Sequence, residues 1–299
     1  MSQSSSTTDI LQVLPWYRRI LYLVKKLIVY LFRYADNPKY LFLYLSKVIS
    51  RSYKENANFY NDEQFLNEAT SRSTIRLGDG EFGLLLGKRG IHYQSTDPKL
   101  QKLLLQAINN YSDNSPYLLG LPFFINIPNK ILHKHNFKYL WLPAKVLYRI
   151  LFQKQPHYFN SHYFYIENNV TNFLQITSTN RDVIFVTNEQ NVNGIKNIEN
   201  DLFPHSLSIN YISTPKQDTF AVYDSLFQKI ISMTQAHNHP TIFVACGPAG
   251  KALAYESSMK DLIAHDIGHG IEFALNKKSQ EHQVQWDVFE SYWQTISNT

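Results

Sequence analysis

The sequence contains a single cysteine, Cys246, in 299 residues. One cysteine excludes an intramolecular disulfide and any zinc site built from several cysteines, and it is typical of a reducing compartment. The first residues are polar and uncharged, and no small-residue cleavage site follows an apolar core, as a secretory signal would require. Lys and Arg interrupt every apolar stretch before it reaches the ~18–20 residues that cross a membrane. We therefore expect a cytoplasmic protein.

Charged residues are also few, at 18% of the chain, whereas apolar residues make up 44%, a balance typical of a globular protein. The net charge of +5 comes from the first 60 residues, which hold nine Lys and Arg against three Asp and Glu. The other 239 residues hold 20 against 21. Because a nucleic-acid-binding domain carries its basic surplus on its folded body, we expect no nucleic-acid partner.

Residues 1–60 are predicted to form a basic, aromatic-rich, amphipathic helical segment. Apolar and aromatic positions such as Trp16 and Tyr22 alternate there with Arg18 and Lys25. Such a helix can bind an anionic membrane surface, which would place the protein at the inner face of the cell membrane. It can equally pack against the catalytic body or against a second copy of the chain. Both interpretations remain open.

Residues 61–299 are predicted to form one α/β domain. Short apolar and β-branched runs alternate with single helical segments, and this alternation favours a mostly parallel sheet with helices on both faces. Strands are predicted at 73–77, 117–121, 158–166, 182–187, 207–212, 241–246 and 262–267.

The first predicted strand ends in a turn that carries two acidic residues. Asp79 and Glu81 are bracketed by Gly78 and Gly80, and Arg76 precedes them. Two carboxylates on a flexible backbone can converge on a hard cation or on a polar ligand, and ligands bind at strand ends in open α/β sheets. Arg76 would position the turn or pair with a phosphate. The alternative is an ordinary turn with a solvated Glu.

Two later strand ends also carry polar residues or glycine. Gly247 and Pro248 form a strand-to-helix turn whose free N–H groups could bind an anion, with Lys251 close by, although a plain tight turn explains the same residues. Asp266 lies at the end of the last predicted strand, and His269 follows that strand.

Asp266, His269 and Glu272 are candidates for a general base. His265 and His269 would share a face only on a helix, and the intervening Gly268 argues against one, so we expect no zinc site here. Together the three strand ends could form a nucleotide-diphosphate site, in which acidic residues hold a divalent cation and glycines admit the diphosphate.

The order of these motifs resembles the bacterial glycosyltransferases with the GT-D fold, over roughly residues 65–275. The matching motifs are Arg76-x-Gly78-Asp79-Gly80-Glu81, Thr214-Pro215-Lys216-x-x-x-Phe220-x-x-Tyr223-Asp224, Gly247-Pro248-Ala249-x-Lys251-x-Leu253-Ala254-Tyr255 and Asp266-Ile267-Gly268-His269.

The resemblance implies a Rossmann-like hexosyltransferase that moves glucose or a related sugar from a UDP-sugar to a glycan acceptor, in surface glycoprotein or polysaccharide synthesis. It also implies a D-x-E motif that binds Mn or Mg, and here that motif is Asp79-Gly80-Glu81. The donor site would include the residues named above at the first two strand ends, which are Arg76, Gly78, Asp79, Gly80, Glu81, Gly247, Pro248 and Lys251.

Two other functions remain open from the sequence. A metal-dependent phosphohydrolase could be built on His265, Asp266 and His269, and it would need no sugar acceptor. A membrane-docked scaffold without catalytic activity is suggested by the basic N-terminal segment. Metal-dependent binding of a UDP-sugar would distinguish the transferase from the hydrolase, and turnover of that donor would distinguish it from the scaffold.

Overall fold

The computed structural model of the chain describes residues 56–85, 94–127, 131–132, 145, 148, 151–152, 156–237, 239–275, 290 and 292–294, with the backbone alone at residues 79 and 167. Most of the predicted helical segment, residues 1–55, lies outside this part of the chain. None of the helices within it is both long enough and apolar enough to cross a bilayer.

In the described part of the chain, eight strands form one open sheet, and every neighbouring pair is parallel. The strands are β1 (Asn58–Phe59), β2 (Ser73–Arg76), β3 (Tyr117–Leu121), β4 (His157–Asn160), β5 (Asp182–Asn188), β6 (Ser208–Thr214), β7 (Thr241–Ala245) and β8 (Ile263–Asp266). Their order across the sheet is β1-β4-β3-β2-β8-β7-β5-β6. The predicted parallel α/β architecture is confirmed.

Helices connect these strands. They are α1 (Asp62–Ala69), α2 (Asp79–Leu85), α3 (Pro98–Asn109), α4 (Glu167–Ser178), α5 (Glu189–Asn197), α6 (Glu199–Leu202), α7 (Tyr223–Gln235), α8 (Pro248–Ser258) and α9 (Gly270–Ala274). Neighbouring residues determine where two of these helices begin. The Asp97 side chain caps α3, whose first residue is a proline. Asn61 and Gln64 form a capping box at the start of α1.

The sheet separates two apolar layers, because successive side chains of a strand point to opposite faces. In β5, Ile184 and Val186 pack into one layer, together with residues of α3, α7 and α8. Val183 and Phe185 pack into the other layer, which is rich in phenylalanine and includes residues of α1, α4 and α9. A parallel sheet buried on both faces explains why its central strands are almost wholly apolar.

The predicted strand at 158–166 is shorter in the structure. The strand β4 ends at Asn160, whose side-chain Oδ1 accepts the N–H of His162 at 3.0 Å, and a 3₁₀ turn follows at Tyr163–Tyr165. An Asn side chain that bonds the backbone two residues ahead starts a turn and competes with the strand ladder. The aromatic residues after it therefore enter the core from a loop.

Strands β2 and β8 are neighbours, with Thr74 paired to His265, and β7 lies beside β8 with Val244 paired to Asp266. Since the strands are parallel, their carboxyl ends meet at one edge of the sheet. The three polar strand ends predicted from the sequence therefore lie side by side.

Candidate active site

The turn after β2 folds its second acidic residue back onto its own start. The N–H of Gly78 donates to Oε2 of Glu81 at 2.7 Å, and α2 begins between them at Asp79. Glu81 is 5% exposed. This short loop gives the carboxylate of Glu81 a fixed position at the edge of the sheet.

Lys251 lies on the first turn of α8 and reaches two carboxylates. Its Nζ is 3.3 Å from Oε1 of Glu81 and 3.2 Å from Oδ2 of Asp266. The lysine is 4% exposed and Asp266 is fully buried, so water screens these charges poorly. Lys251 therefore joins the turn after β2 to the end of β8.

Asp266 is also held by Arg76. The backbone N–H of Arg76 donates to Oδ2 of Asp266 at 3.3 Å, and its Nε donates to the Asp266 carbonyl at 3.1 Å. Its Nη1 donates to the Ser161 carbonyl at 3.4 Å, and the guanidinium lies 5.3 Å from the ring centre of Phe164. Burial disfavours the charge, but Asp266, Tyr165 and Glu81 together outweigh it and raise the pKa of Arg76.

Gly268 leaves room for this guanidinium. A Cβ at that position would lie 1.7 Å from Nη2 of Arg76, and the φ of Gly268 is +45°. Only glycine satisfies both conditions without strain. The glycine between Asp266 and His269 is thus explained by the close approach of Arg76.

We call Arg76, Glu81, Lys251 and Asp266 the buried ion cluster. Its two cationic side chains and its two carboxylates balance one another in charge. Within the part of the chain that the structure describes, Oδ1 of Asp266 has no hydrogen-bond partner. Beside the cluster, burial and the nearby Asp266 raise the pKa of Cys246 to about 12, so its thiol stays neutral.

The N-terminus of α8 faces the same edge of the sheet. Gly247 precedes it with φ 63° and ψ −146°, a conformation open to glycine but not to other residues, and Pro248 opens the helix. Among the residues that the structure describes, no side chain caps this end. Its first N–H groups and the helix dipole therefore favour a negative charge.

His269 and Glu272 lie just beyond the cluster and are more open to solvent. Nδ1 of His269 is 3.2 Å from Oε1 of Glu272, and their side chains are 44% and 39% exposed. A carboxylate beside a histidine can orient its ring. Of the three predicted base candidates, these two are accessible and Asp266 is not.

His265 points to the opposite face of the sheet from Asp266. Its Nδ1 is 3.3 Å from Oγ1 of Thr74, and its ring packs edge-on against Phe173. Burial lowers the pKa of His265 to about 3, so the ring is neutral. His265, Asp266 and His269 therefore do not converge, and the geometry that a phosphohydrolase would need from them is not formed.

No three His, Cys, Asp or Glu side chains come together as a metal site among the residues whose side chains are described. The side chain of Asp79 lies outside that set. The metal site predicted at Asp79 and Glu81 thus stays a prediction, with one of its two ligands located.

Three contributors to the site were not singled out from the sequence: Ser161 and Phe164, which contact Arg76, and Tyr165, whose ring centre is 5.7 Å from its guanidinium. All three lie in the loop after β4. The only local signal was the polar Asn160 that ends this strand, and it was hidden by the aromatic residues around it.

Solved structures similar to this chain share its fold. One, described as a selenomethionine-substituted domain of unknown function 1792, is 22% identical with a TM-score of 0.61, over 73% of this chain and 80% of that one. Another, described as a new glycosyltransferase (DUF1792) from Streptococcus sanguinis, is 21% identical with a TM-score of 0.60, over 73% and 83%. No curated protein matches.

The chain also matches a model of a protein family. The model described as "Glycosyltransferase GT-D fold" matches residues 74–289, which include the whole buried ion cluster and the N-terminus of α8. This match spans more than two thirds of the 299 residues. The chain therefore belongs to the glycosyltransferases of the GT-D fold.

Proposed function

We propose that this chain transfers a hexose, glucose or a close relative, from a UDP-sugar to a glycan acceptor in the synthesis of a surface glycoprotein or polysaccharide, with a divalent metal assisting. The observation that carries the proposal is the convergence of the acidic turn after β2, Lys251 and the uncapped N-terminus of α8 at one edge of the sheet. Acidic and cationic groups so arranged suit a diphosphate together with its cation.

The donor diphosphate would bind against the start of α8. The backbone there can approach a phosphate closely because Gly247 has no side chain, and the helix dipole favours the charge. Lys251, one turn into the helix, adds a positive charge beside this position. These groups would bind the diphosphate and stabilise the charge that develops on it as the sugar leaves.

Asp79 and Glu81 are the proposed metal ligands. The N–H of Gly78 already orients the Glu81 carboxylate, as groups behind a metal ligand usually do. Mg²⁺ commonly binds through one or two carboxylates plus the phosphates of a substrate, so the two ligands of this turn fit a cation that arrives with the donor. When bound, the cation would neutralise charge on the diphosphate leaving group.

His269 is the proposed base that takes the proton of the acceptor hydroxyl, with Glu272 orienting its ring. Its exposure supports this role, because an acceptor must reach the base from solvent. Asp266 was an equal candidate in the sequence, but its burial and its contacts with Arg76 and Lys251 favour a different task.

We further propose that the protein acts in the cytoplasm, at the inner face of the membrane, through its basic residues 1–60. The charge surplus of that segment supports the proposal. Full-length protein should sediment with vesicles that contain anionic lipid and should not sediment with neutral vesicles. A chain that starts at Asn56 should remain in the supernatant with both.

The test of the donor is a panel of nucleotide sugars with Mn²⁺ or Mg²⁺, in which thermal stabilisation of the protein is measured. A UDP-hexose should raise the melting temperature, and the rise should disappear with a chelator and in Asp79→Ala. Absence of a shift with every nucleotide sugar in the panel would contradict the proposed donor class.

A further inference from the structure

Lys251 lies between two buried carboxylates, and only one of them belongs to the turn proposed to hold the cation. Its Nζ is 3.3 Å from Oε1 of Glu81 and 3.2 Å from Oδ2 of Asp266. All three residues are at most 5% exposed. In a site with so little water, the lysine ammonium serves as the counter-charge of Glu81.

A divalent cation at Glu81 would compete with that ammonium. Oε2 of Glu81 accepts the N–H of Gly78, and Oε1 faces Lys251. An ammonium and a divalent cation repel each other, and in a poorly hydrated site the repulsion is strong. This repulsion disfavours close contact of both cations with one carboxylate.

We propose that Lys251 is the resident counter-cation of Glu81, that it moves away from Glu81 when a divalent cation binds, and that Asp266 is the positioning residue that keeps the released ammonium beside the donor. This inference rests on the proposed metal-assisted transfer. It adds to that function an exchange of one cation for another at Glu81.

Asp266 is built to retain the lysine. Its Oδ2 already accepts the backbone N–H of Arg76 and faces Lys251, while Oδ1 is buried and has no hydrogen-bond partner among the described residues. A Cβ at Gly250 would lie 3.6 Å from Oδ1, in van der Waals contact with it. Because Gly250 has no Cβ, the space beside Oδ1 stays open. Asp266 therefore has acceptor capacity left for the ammonium that leaves Glu81.

The released ammonium would stay close to the proposed diphosphate position. Nζ of Lys251 is 3.5 Å from the carbonyl of Gly247, the residue that precedes the uncapped N-terminus of α8. A small movement along Asp266 thus keeps the charge at this end of the helix. The same lysine would serve Glu81 in the empty site and the diphosphate in the loaded one.

Calorimetric titration with Mn²⁺ alone tests the exchange without relying on turnover. Lys251→Met should bind Mn²⁺ at least about fivefold more tightly than wild type, because the competing ammonium is gone. Lys260→Met removes the same charge from an exposed position just after α8 and should change the affinity by less than about twofold.

The double variant Lys251→Met/Asp266→Asn separates direct competition from a general charge effect. Its net charge equals that of wild type, so a long-range effect predicts unchanged Mn²⁺ affinity, whereas direct competition predicts tighter binding. It also removes the two opposite charges together, which protects the fold if Lys251→Met alone is unstable. Circular dichroism melts would confirm that each variant is folded at the titration temperature.

The outcomes separate this inference from the proposed function. Wild-type binding that is not tightened in Lys251→Met, or a double variant with wild-type affinity, would overturn the exchange and leave metal-assisted transfer standing. Binding by Lys251→Met without binding by wild type would support the exchange, because the ammonium then keeps the cation from Glu81 until the donor is present. Absence of Mn²⁺ binding by every variant would overturn the exchange, and the proposed transfer would then be decided by the nucleotide-sugar panel, in which the cation can arrive with the donor.

Discussion

His265 and Asp266 are neighbours in β8, and both are fully buried, but the two faces of the sheet give them opposite chemistry. His265 enters a layer of aromatic rings, where burial keeps its imidazole neutral. Asp266 enters the face covered by α8, where Lys251 supplies positive charge, while Arg76 bonds it from the side of Phe164. Because successive side chains of a strand point to opposite faces, the core position His265 and the site position Asp266 are only one residue apart.

The helices that cover the two faces explain the difference. Helix α8 begins Pro-Ala-Gly-Lys-Ala-Leu-Ala, and these small residues let its first turn approach the strand ends and bring Lys251 to the carboxylates. On the other face, Phe173 of α4 packs against Phe164, which in turn packs against Phe159. Helix α8 thus brings a cation to Asp266, whereas the opposite layer surrounds His265 with aromatic rings.

The largest effect should come from the acidic turn. Asp79→Ala and Glu81→Gln should each lower the rate of sugar transfer by about 10²–10³-fold, because stabilisation of the leaving diphosphate is lost. Glu81→Gln keeps an oxygen for the N–H of Gly78, so its fold should persist. Initial rates of UDP release measure the effect, and the exposed Glu63→Gln is the control. Near-wild-type rates in both site variants would contradict the assignment of the acidic turn to the catalytic site.

The next effect should come from Gly268, where the site is most crowded. Gly268→Ala should lower the free energy of unfolding by about 2–4 kcal/mol, since its Cβ would overlap Nη2 of Arg76 and its φ is positive. Gly250→Ala should cost less, because its Cβ would have contacts no closer than 3.3 Å. Urea denaturation of both variants provides the comparison. Equal stability losses would show that Arg76 does not hold the position described here.

The next prediction concerns His269 and Glu272, the two base candidates that solvent reaches. His269→Ala should lower the rate of transfer by about 10²-fold, because a general base contributes about that much, while donor binding is retained. Glu272→Gln should have a smaller effect in the same direction. Rates measured against pH at saturating donor test this. Unchanged rates in His269→Ala would exclude it as the base.

The smallest effect concerns the aromatic side. His265 has a pKa near 3 when folded and near 6.5 when unfolded, so the unfolded state binds more protons at intermediate pH. Wild type should therefore lose about 2 kcal/mol of unfolding free energy between pH 7.5 and pH 5 from this group alone. His265→Leu should not show that loss, whereas the exposed His205→Gln should behave like wild type. Denaturation at the two pH values checks this, and an equal loss in all three proteins would contradict the buried neutral imidazole.

Much of the fold follows from local sequence signals. The buried runs Val183–Val186 and Ile242–Val244 carry the apolar residues that a two-sided parallel strand requires, and Asp97-Pro98 marks the start of α3. These elements and their parallel arrangement were predictable because each depends on neighbouring residues. The strand at 158–166 was predicted too long because Asn160 starts a turn that the aromatic pattern obscures.

The site was predictable only in part. The glycines and acidic residues of the turn after β2 are visible in the sequence, but Arg76 and Asp266 are 190 positions apart. Their contact depends on the pairing of β2 with β8, and the two contacts of Lys251 depend on where α8 crosses that pair. Such long-range register leaves no local signal, so the burial of Asp266 and the ion cluster around it could not be foreseen.

The most direct test of the central claim is the release of UDP from UDP-glucose and related UDP-hexoses in the presence of Mn²⁺, measured side by side for wild type and Glu81→Gln. The account predicts metal-dependent release by wild type with at least one UDP-hexose, and almost none by a folded Glu81→Gln variant. Failure of wild type to consume any UDP-hexose, or release by Glu81→Gln at the wild-type rate, would contradict a donor site at the ends of β2 and β8.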